Sequence, residues 1–340
     1  MIGRRMAAEM LEQPRVLAAL ARRRDAIASS VRAVLPDPLH GTVLVARGSS
    51  DHAATYGRYL LEPATRRPVA LAAPSLQTLY AAPVDYRNFL VVAVSQSGRT
   101  PEIRTMVERL AAAGARTLAI TNEPDSPLAS AADAAIELEA GTEHAVPATK
   151  TFTAQALAFA IVAEALGAVP STDDDWARLP AAVESVLADD APAARVAGAI
   201  GDAPSLITTA RGYCYPMALE AALKLKETTG IVAEGHSAAD LRHGPTAVVT
   251  AGFPVLAMAT AGPAAHDVAD LVAELRERGA AVSEISDRPD AELPIPAGLA
   301  EPLSALAAVV RAQQLALALA RHRGVDPDAP HGLSKVTMTT

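Results

Sequence analysis

The sequence predicts an α/β fold made of two tandem parallel-sheet modules related by internal duplication. Three observations carry the prediction. Short apolar strands alternate with helical stretches of a dozen or more residues, a strand ending in Ala-Arg-Gly occurs twice, and the elements after it recur in register. TVLVARG (residues 42–48) is answered by SLITTARG, so that Arg47 and Arg211 stand 164 residues apart. FLVVAVSQSG from Phe89 answers FPVLAMATAG from Phe253 at the same offset. GARTLAI from Gly114 answers GAAVSEI from Gly279 at an offset of 165. Between these strands, Ile103, Met106, Val107 and Leu110 form an amphipathic helical stripe that Val268, Leu271, Val272 and Leu275 repeat. Strands joined by helices make each sheet parallel.

In chain order, residues 1–34 are expected to form an N-terminal helix laid on the first module, its apolar pattern running from Met6 to Val34. Residues 35–167 make the first module and residues 195–323 the second. Residues 168–194, with STDDDWARLP and ADDAPAA, read as a polar helical connection. Residues 324–340, GVDPDAPHGLSKVTMTT, contain two prolines and no helical period. Such a tail either wanders or is recruited to something.

The 340 residues carry 38 acidic and 30 basic side chains, a net charge of -8, and 3% aromatics. That balance lacks both a phosphate-neutralising surface and a base-stacking platform, which argues against nucleic acid. Cys214 is the single cysteine, so no disulfide or cysteine zinc site forms within the chain. The start, MIGRRMAAEMLEQP, has no apolar signal region. The most apolar helical stretch, residues 154–169, is interrupted by Gln155 and Glu164 and is too short to span a bilayer. A cytoplasmic protein without membrane contact is expected.

The richest chemical signal is SQSGRTPE, residues 95–102, directly after a strand. Ligands of parallel sheets bind where strand ends turn into helices. Pro101 suits the first helical position and Thr100 the N-cap. Ser95, Gln96, Ser97 and Thr100 supply neutral donors, Gly98 allows close backbone approach, and the helix end favours an anion, with a phosphate the expected ligand. The plainer reading is a capped turn with Thr100 bonded to a backbone N–H. No Walker lysine and no GxGxxG is present, which disfavours a nucleotide. The first strand ends in RGSSDHA, where Ser49 and Ser50 can reach the same ligand; the adjacency of Ser, Asp and His does not make a triad. In the second half the equivalent turn, ATAGPA, has lost most of these donors. One phosphate cradle per chain is therefore expected, leaving the second half for chemistry.

There, residues 216–245 read PMALEAALKLKETTGIVAEGHSAADLRHGP. Glu220, Lys224 and Glu227 share one helix face; for Glu220 the expected environment is a solvated Glu–Lys ladder. Glu227 lies in the last turn, where the helix dipole disfavours a negative charge, which suits a proton-transferring base. His236 and His243 lack a third ligand at sensible spacing, so no metal is expected. Position alone leaves His243 as a cap or core residue or an acid–base group.

ARGSSDHA, SQSGRTPE, VPATK (residues 146–150), ALKLKE…AE…RHGP and DAPHGLSKVT together resemble double sugar isomerase (SIS) proteins. The likeness is closest to the isomerase half of glutamine–fructose-6-phosphate amidotransferase and to stand-alone SIS-type glucosamine-6-phosphate deaminases. It implies two tandem SIS domains, each a flavodoxin-like, three-layer α/β/α sandwich, and no cofactor. It implies a phosphorylated amino sugar held by Ser95, Gln96, Ser97, Thr100 and Ser50, with Gly48, Ser49, Val146, Lys224 and Ser334 completing the binding set. Glu227 would move the proton between C1 and C2. His243 would assist ring opening, in a homodimer and from the partner subunit, and Lys335 would enter the site from an ordered tail. No glutaminase segment is expected. Pro147, His236, Asp240, His331 and Gly332 depart from the pattern beside the expected sugar pocket. The substrate is thereby left between glucosamine 6-phosphate (deamination), an N-acetylated analogue (dehydration) and a plain aldose–ketose pair. A non-catalytic sugar-phosphate sensor is the reading from another class.

Overall fold

The computed structural model describes residues 2–330 and 332–335. Where one N-terminal helix is expected, the chain forms three: α1 (Arg4–Leu11), α2 (Gln13–Arg22) and α3 (Arg24–Val34). Pro14 supplies the first break, since it has no N–H to continue α1 but is tolerated in the first turn of α2. The chain divides into two compact units. The first comprises residues 16–142 and 151–169. The second takes residues up to 15, the excursion 143–150, and the chain from 170 to 335. Helix α1 thus belongs to the second unit, not to the first module as expected.

The first unit contains β1 (Gly41–Val45), α4 (Ser49–Thr65), β2 (Val69–Leu71), α5 (Pro74–Thr78), β3 (Phe89–Val94), α6 (Pro101–Ala112), β4 (Arg116–Thr121), α7 (Pro127–Ala131), β5 (Ala134–Glu137) and most of α8 (Lys150–Leu166). Its sheet is parallel throughout, in the order β2-β1-β3-β4-β5. Strand β3, FLVVAV, is an unbroken apolar run and β1 is buried along its whole length, because both faces of the sheet are covered.

The second unit follows with α9 (Asp173–Ala188), α10 (Ala191–Ile200), β6 (Ser205–Ala210), α11 (Tyr215–Thr229), β7 (Val232–Ser237), α12 (Ala238–Arg242), β8 (Pro254–Ala259), α13 (Ala265–Glu277), β9 (Ala281–Ser286), β10 (Leu293–Pro294) and α14 (Glu301–His322). Its sheet order, β10-β9-β8-β6-β7, is the first sheet's order repeated. The duplication extends to the core. Val43, Val91, Ala93 and the α6 stripe are buried together, and Ile207, Val255, Ala257 and the α13 stripe are buried at the matching offsets.

Among the described residues, α14 is the one helix long and apolar enough to cross a membrane, a length that residues 154–169 lack. Its apolar window is 94% buried, which makes it the core helix of its unit.

Candidate functional site

In the first unit, β1 and β3 lie side by side with β2 on the outer flank of β1, so the strand order reverses between them. Such a switch point leaves a crevice at the carboxyl ends, bordered by two helix N-termini. One border is Arg47–Gly48 leading into Ser49 and Ser50, the first residues of α4. The other is the Ser95–Thr100 turn, with Thr100 at the N-cap and Pro101 at the start of α6. Thr100 makes no side-chain cap hydrogen bond, so the plainer reading of its hydroxyl does not hold. Ser95 Oγ accepts from the Gly98 N–H at 3.2 Å, and Ser97 Oγ accepts from that of Arg99 at 3.3 Å.

The turn is pinned by its neighbours. The Gln96 carbonyl accepts from the Asn122 N–H at 3.1 Å and from Thr121 Oγ1 at 3.3 Å. Gly98 has φ 58°, and a Cβ there would stand 2.1 Å from Ser126 Oγ, so only glycine fits. Arg47 is tied to the buried Glu102 in the first turn of α6 by a two-pronged pair, Nε–Oε2 2.9 Å and Nη2–Oε1 3.0 Å. That pair fixes the spacing of the two turns and commits the arginine's charge to a carboxylate. What remains for an anion is a set of hydroxyls, backbone N–H groups and two helix ends.

The clasp is duplicated. Arg211 lies 3.5 Å from Asp267 in the first turn of α13, at the same offsets as Arg47 and Glu102. In the second crevice a carboxylate stands against the matching glycines. The Glu301 carboxylate lies so close to Gly262 that a Cβ there would meet Oε2 at 2.3 Å, and one on Gly212 would meet Oε1 at 3.4 Å. Burial raises the pKa of this carboxyl.

The second unit gathers the charged residues. Helix α11 begins with Pro216 in its first turn and ends at Gly230 in the left-handed region, φ 71°. Glu220, Lys224 and Glu227 share a face as expected, but the ladder is not solvated. The Lys224 and Glu220 side chains are 1% and 0% exposed, and Glu227 is 20% exposed. Helix α11 turns this face toward α14 and the core, which a helical period alone does not disclose. Lys224 Nζ lies 3.4 Å from Glu220 Oε1 and donates to Glu227 Oε2. Burial disfavours the ammonium, but Glu220, Glu227 and Glu143 outweigh it and hold the pKa above the usual lysine value. Of the two carboxylates paired with Lys224, Glu227 alone reaches solvent and hence a ligand.

Lys335 donates to Glu143 Oε2 at 2.7 Å, and the other oxygen of Glu143 accepts from the Thr149 N–H at 2.9 Å. Glu143, with a fully buried side chain, was not foreseen. Val146 lies half-buried and Pro147 buried in the following turn, and Ser334 is exposed beside Lys335. His243 is exposed at the end of α12, and among the described residues no hydrogen bond or ion pair joins it to Glu227 or Lys335. His236 Nε2 lies 3.4 Å from Glu234, and Asp240 accepts from Ser237 Oγ at 2.6 Å. His331 lies outside the described residues. Among those described, no group of three or more His, Cys, Asp and Glu is placed to hold a metal ion. A cavity of ≈ 530 Å³ lined by Met10, Leu187, Leu317 and Arg321 contains none of the expected site residues.

The SIS domain model matches residues 40–165 and 199–297. The chain is 35% identical over 310 residues to the isomerizing glutamine–fructose-6-phosphate aminotransferase of Gloeobacter violaceus, covering 86% of this chain and 51% of that protein. It spans about half the length of the curated relatives it matches. A Silicibacter pomeroyi DSS-3 crystal structure, provisionally named a phosphosugar isomerase, is 32% identical with TM-score 0.85, covering 96% of this chain and all of that one. The glucosamine-6-phosphate deaminase of Thermotoga maritima shares the fold, with TM-score 0.80 at 23% identity over 98% of this chain and all of that one.

Proposed function

Because the chain belongs to the SIS-domain family, we propose that it is a phosphosugar enzyme of the aldose–ketose type, acting on glucosamine 6-phosphate. The observation that carries the reading is the Glu227 carboxylate, partly open to solvent and backed by the buried Lys224 ammonium. A base that must take a proton from carbon needs its charged form held in place without being smothered, and this arrangement does both.

The sugar phosphate binds in the first unit among Gly48, Ser49, Ser50, Ser95, Gln96, Ser97 and Thr100. Val146, Lys224 and Ser334 border the sugar. After ring opening, assisted by His243, Glu227 takes the C2 proton to give an enolamine and returns a proton to C1. The product is the ketose imine, and water then replaces nitrogen to give fructose 6-phosphate and ammonia. Lys335 brings a positive charge to the oxygen that becomes negative as the C2 proton leaves. His243 stands exposed and apart from Glu227, which fits its donation to the site of a second copy in a homodimer.

The test is a product assay, by mass and ammonia detection, on 6-phosphosugars with and without a 2-acetamido group. Ammonia from glucosamine 6-phosphate, abolished in Glu227→Gln, is the expected result. An unsaturated sugar from the N-acetylated compound without ammonia from the free amine would replace the deaminase with a dehydratase. Ketose formation without ammonia would leave a plain isomerase. Binding without turnover would leave a sensor.

A further inference from the structure

We propose that helix α1 is the platform that delivers Lys335, with Asp328 and Glu9 as positioning residues. The proposal rests on the reading of Lys335 as a site residue. Helix α1 begins after Gly3, which offers no side chain to its first-turn N–H groups. Those groups have no partners within a helix and must find them elsewhere. Here the tail supplies them, more than 300 positions away in sequence. The Gly3 N–H donates to Asp326 Oδ1 at 2.9 Å, that of Arg5 to Asp328 Oδ2 at 2.7 Å, and that of Met6 to Asp328 Oδ1 at 2.9 Å. Two carboxylates at the positive end of a helix are also favoured by its dipole. The tail packs against this end beside α14, since a Cβ on Gly3 would meet Pro327 of the tail at 3.0 Å and Leu317 of α14 at 2.3 Å.

The far end of α1 holds the lysine's acceptor. Glu9, only 4% exposed, receives the backbone N–H groups of His144 and Ala145, the latter at 3.1 Å. The residue before them is Glu143, which accepts from Lys335. One eight-residue helix therefore anchors the tail at its start and orients the lysine's partner near its end. Lys335 lies seven positions along the chain from Asp328, a reach of at most about 25 Å. Anchoring at Asp328 confines Lys335 to that radius and raises its effective concentration at Glu143. The buried carboxylate of Glu9 thereby acquires a purpose beyond packing.

Two readouts test this on the full chain. The first is the rate of trypsin cleavage after Lys335, read by mass. Asp328→Ala is expected to raise it on the order of tenfold, the size of a lost helix cap, and Asp328→Asn, which keeps an acceptor oxygen, to restore most of the protection. Glu9→Ala should raise it too. The second is steady-state turnover of glucosamine 6-phosphate. Asp328→Ala should lower kcat about tenfold with little change in KM, and should cause no further loss in a Lys335→Ala background. Unchanged cleavage in Asp328→Ala overturns the proposal, whatever Lys335 does in catalysis. Losses from Asp328→Ala and Lys335→Ala that multiply would overturn it as well, because they would mean a general structural role. If Lys335→Ala keeps full turnover while cleavage still responds to Asp328→Ala, anchoring stands and the catalytic reading of Lys335 fails.

Discussion

Replacing Lys224 by Met keeps an unbranched apolar side chain, one atom shorter, and removes the charge. The ammonium is fully enclosed, with the Glu220 carboxylate, itself 0% exposed, at 3.4 Å and the Glu227 carboxylate hydrogen-bonded to it. Taking one partner from such a buried group leaves carboxylates desolvated without their cation, which costs about 3–5 kcal/mol. For units of this size, that corresponds to a fall in Tm of about 6–20 °C at pH 7. The loss should depend on pH in a definite direction. In the variant the enclosed Glu220 carboxyl is harder to ionise folded than unfolded, so its penalty vanishes once both states are protonated and grows as pH rises. The deficit should therefore shrink between pH 7 and pH 5. The wild-type lysine, with its folded pKa raised above the usual value, keeps its contribution below about pH 10 and shows no trend in that window. Thermal unfolding by circular dichroism at both pH values, on wild type, Lys224→Met and Lys224→Met/Glu220→Gln, supplies the measurement. The double variant should recover much of the loss. A fall of under about 2 °C at pH 7 would contradict a buried, paired ammonium at this position, because removing such an ion costs several kcal/mol. So would an equal fall at both pH values.

Three further outcomes follow from the same geometry. Arg47→Ala removes the two-pronged partner of Glu102 that ties the Gly48 and Ser95–Thr100 turns together, so under the proposed function KM for a sugar phosphate should rise about tenfold with kcat nearly unchanged; an unchanged KM would show that the clasp does not shape these turns. Gly98→Ala forces a side chain into a positive-φ position against Ser126, at a cost of about 1–3 kcal/mol; Ser126→Gly should return part of the lost phosphate affinity, and no return would mean the clash is not the cause. Burial pushes the Cys214 thiol up to about 12, beside Thr260 at 3.6 Å. At pH 8 the native protein should leave a thiol reagent unreacted and release one thiol equivalent only on unfolding, and rapid native labelling would contradict the burial.

The repeat could be read from the sequence because both copies kept their strand ends and helix stripes in register. Edge strands were harder: β2 and β10 hold three and two residues, too short to show a period against the loops around them. Pro14 marked the break in the N-terminal helix, and the apolar pattern running through it hid the signal. The Ser/Thr turn and the face bearing Glu227 are local in sequence, so their positions were accessible. Their supports are not. Glu102 stands 55 residues from Arg47, and Glu143 stands 192 from Lys335. Yet the register held a clue, because the offsets linking the two halves carry Arg47 and Glu102 onto Arg211 and Asp267. Whether a Glu–Lys ladder meets water or core depends on what the helix packs against, and no helical wheel contains that.

Glu301 turns the duplication into a competition that the chain has settled internally. A carboxylate tethered by its own helix competes at millimolar effective concentration or more, and it never diffuses away. A free anion would have to outbid that permanent tenant to settle between Gly212 and Gly262, and the second turn retains few donors with which to do so. In the first unit a Cβ on Gly48 would meet nothing within 4 Å, and what stands against Gly98 is the Ser126 hydroxyl, not a carboxylate. Two turns on one repeated backbone are thus lined differently, one by a carboxylate and one by a hydroxyl.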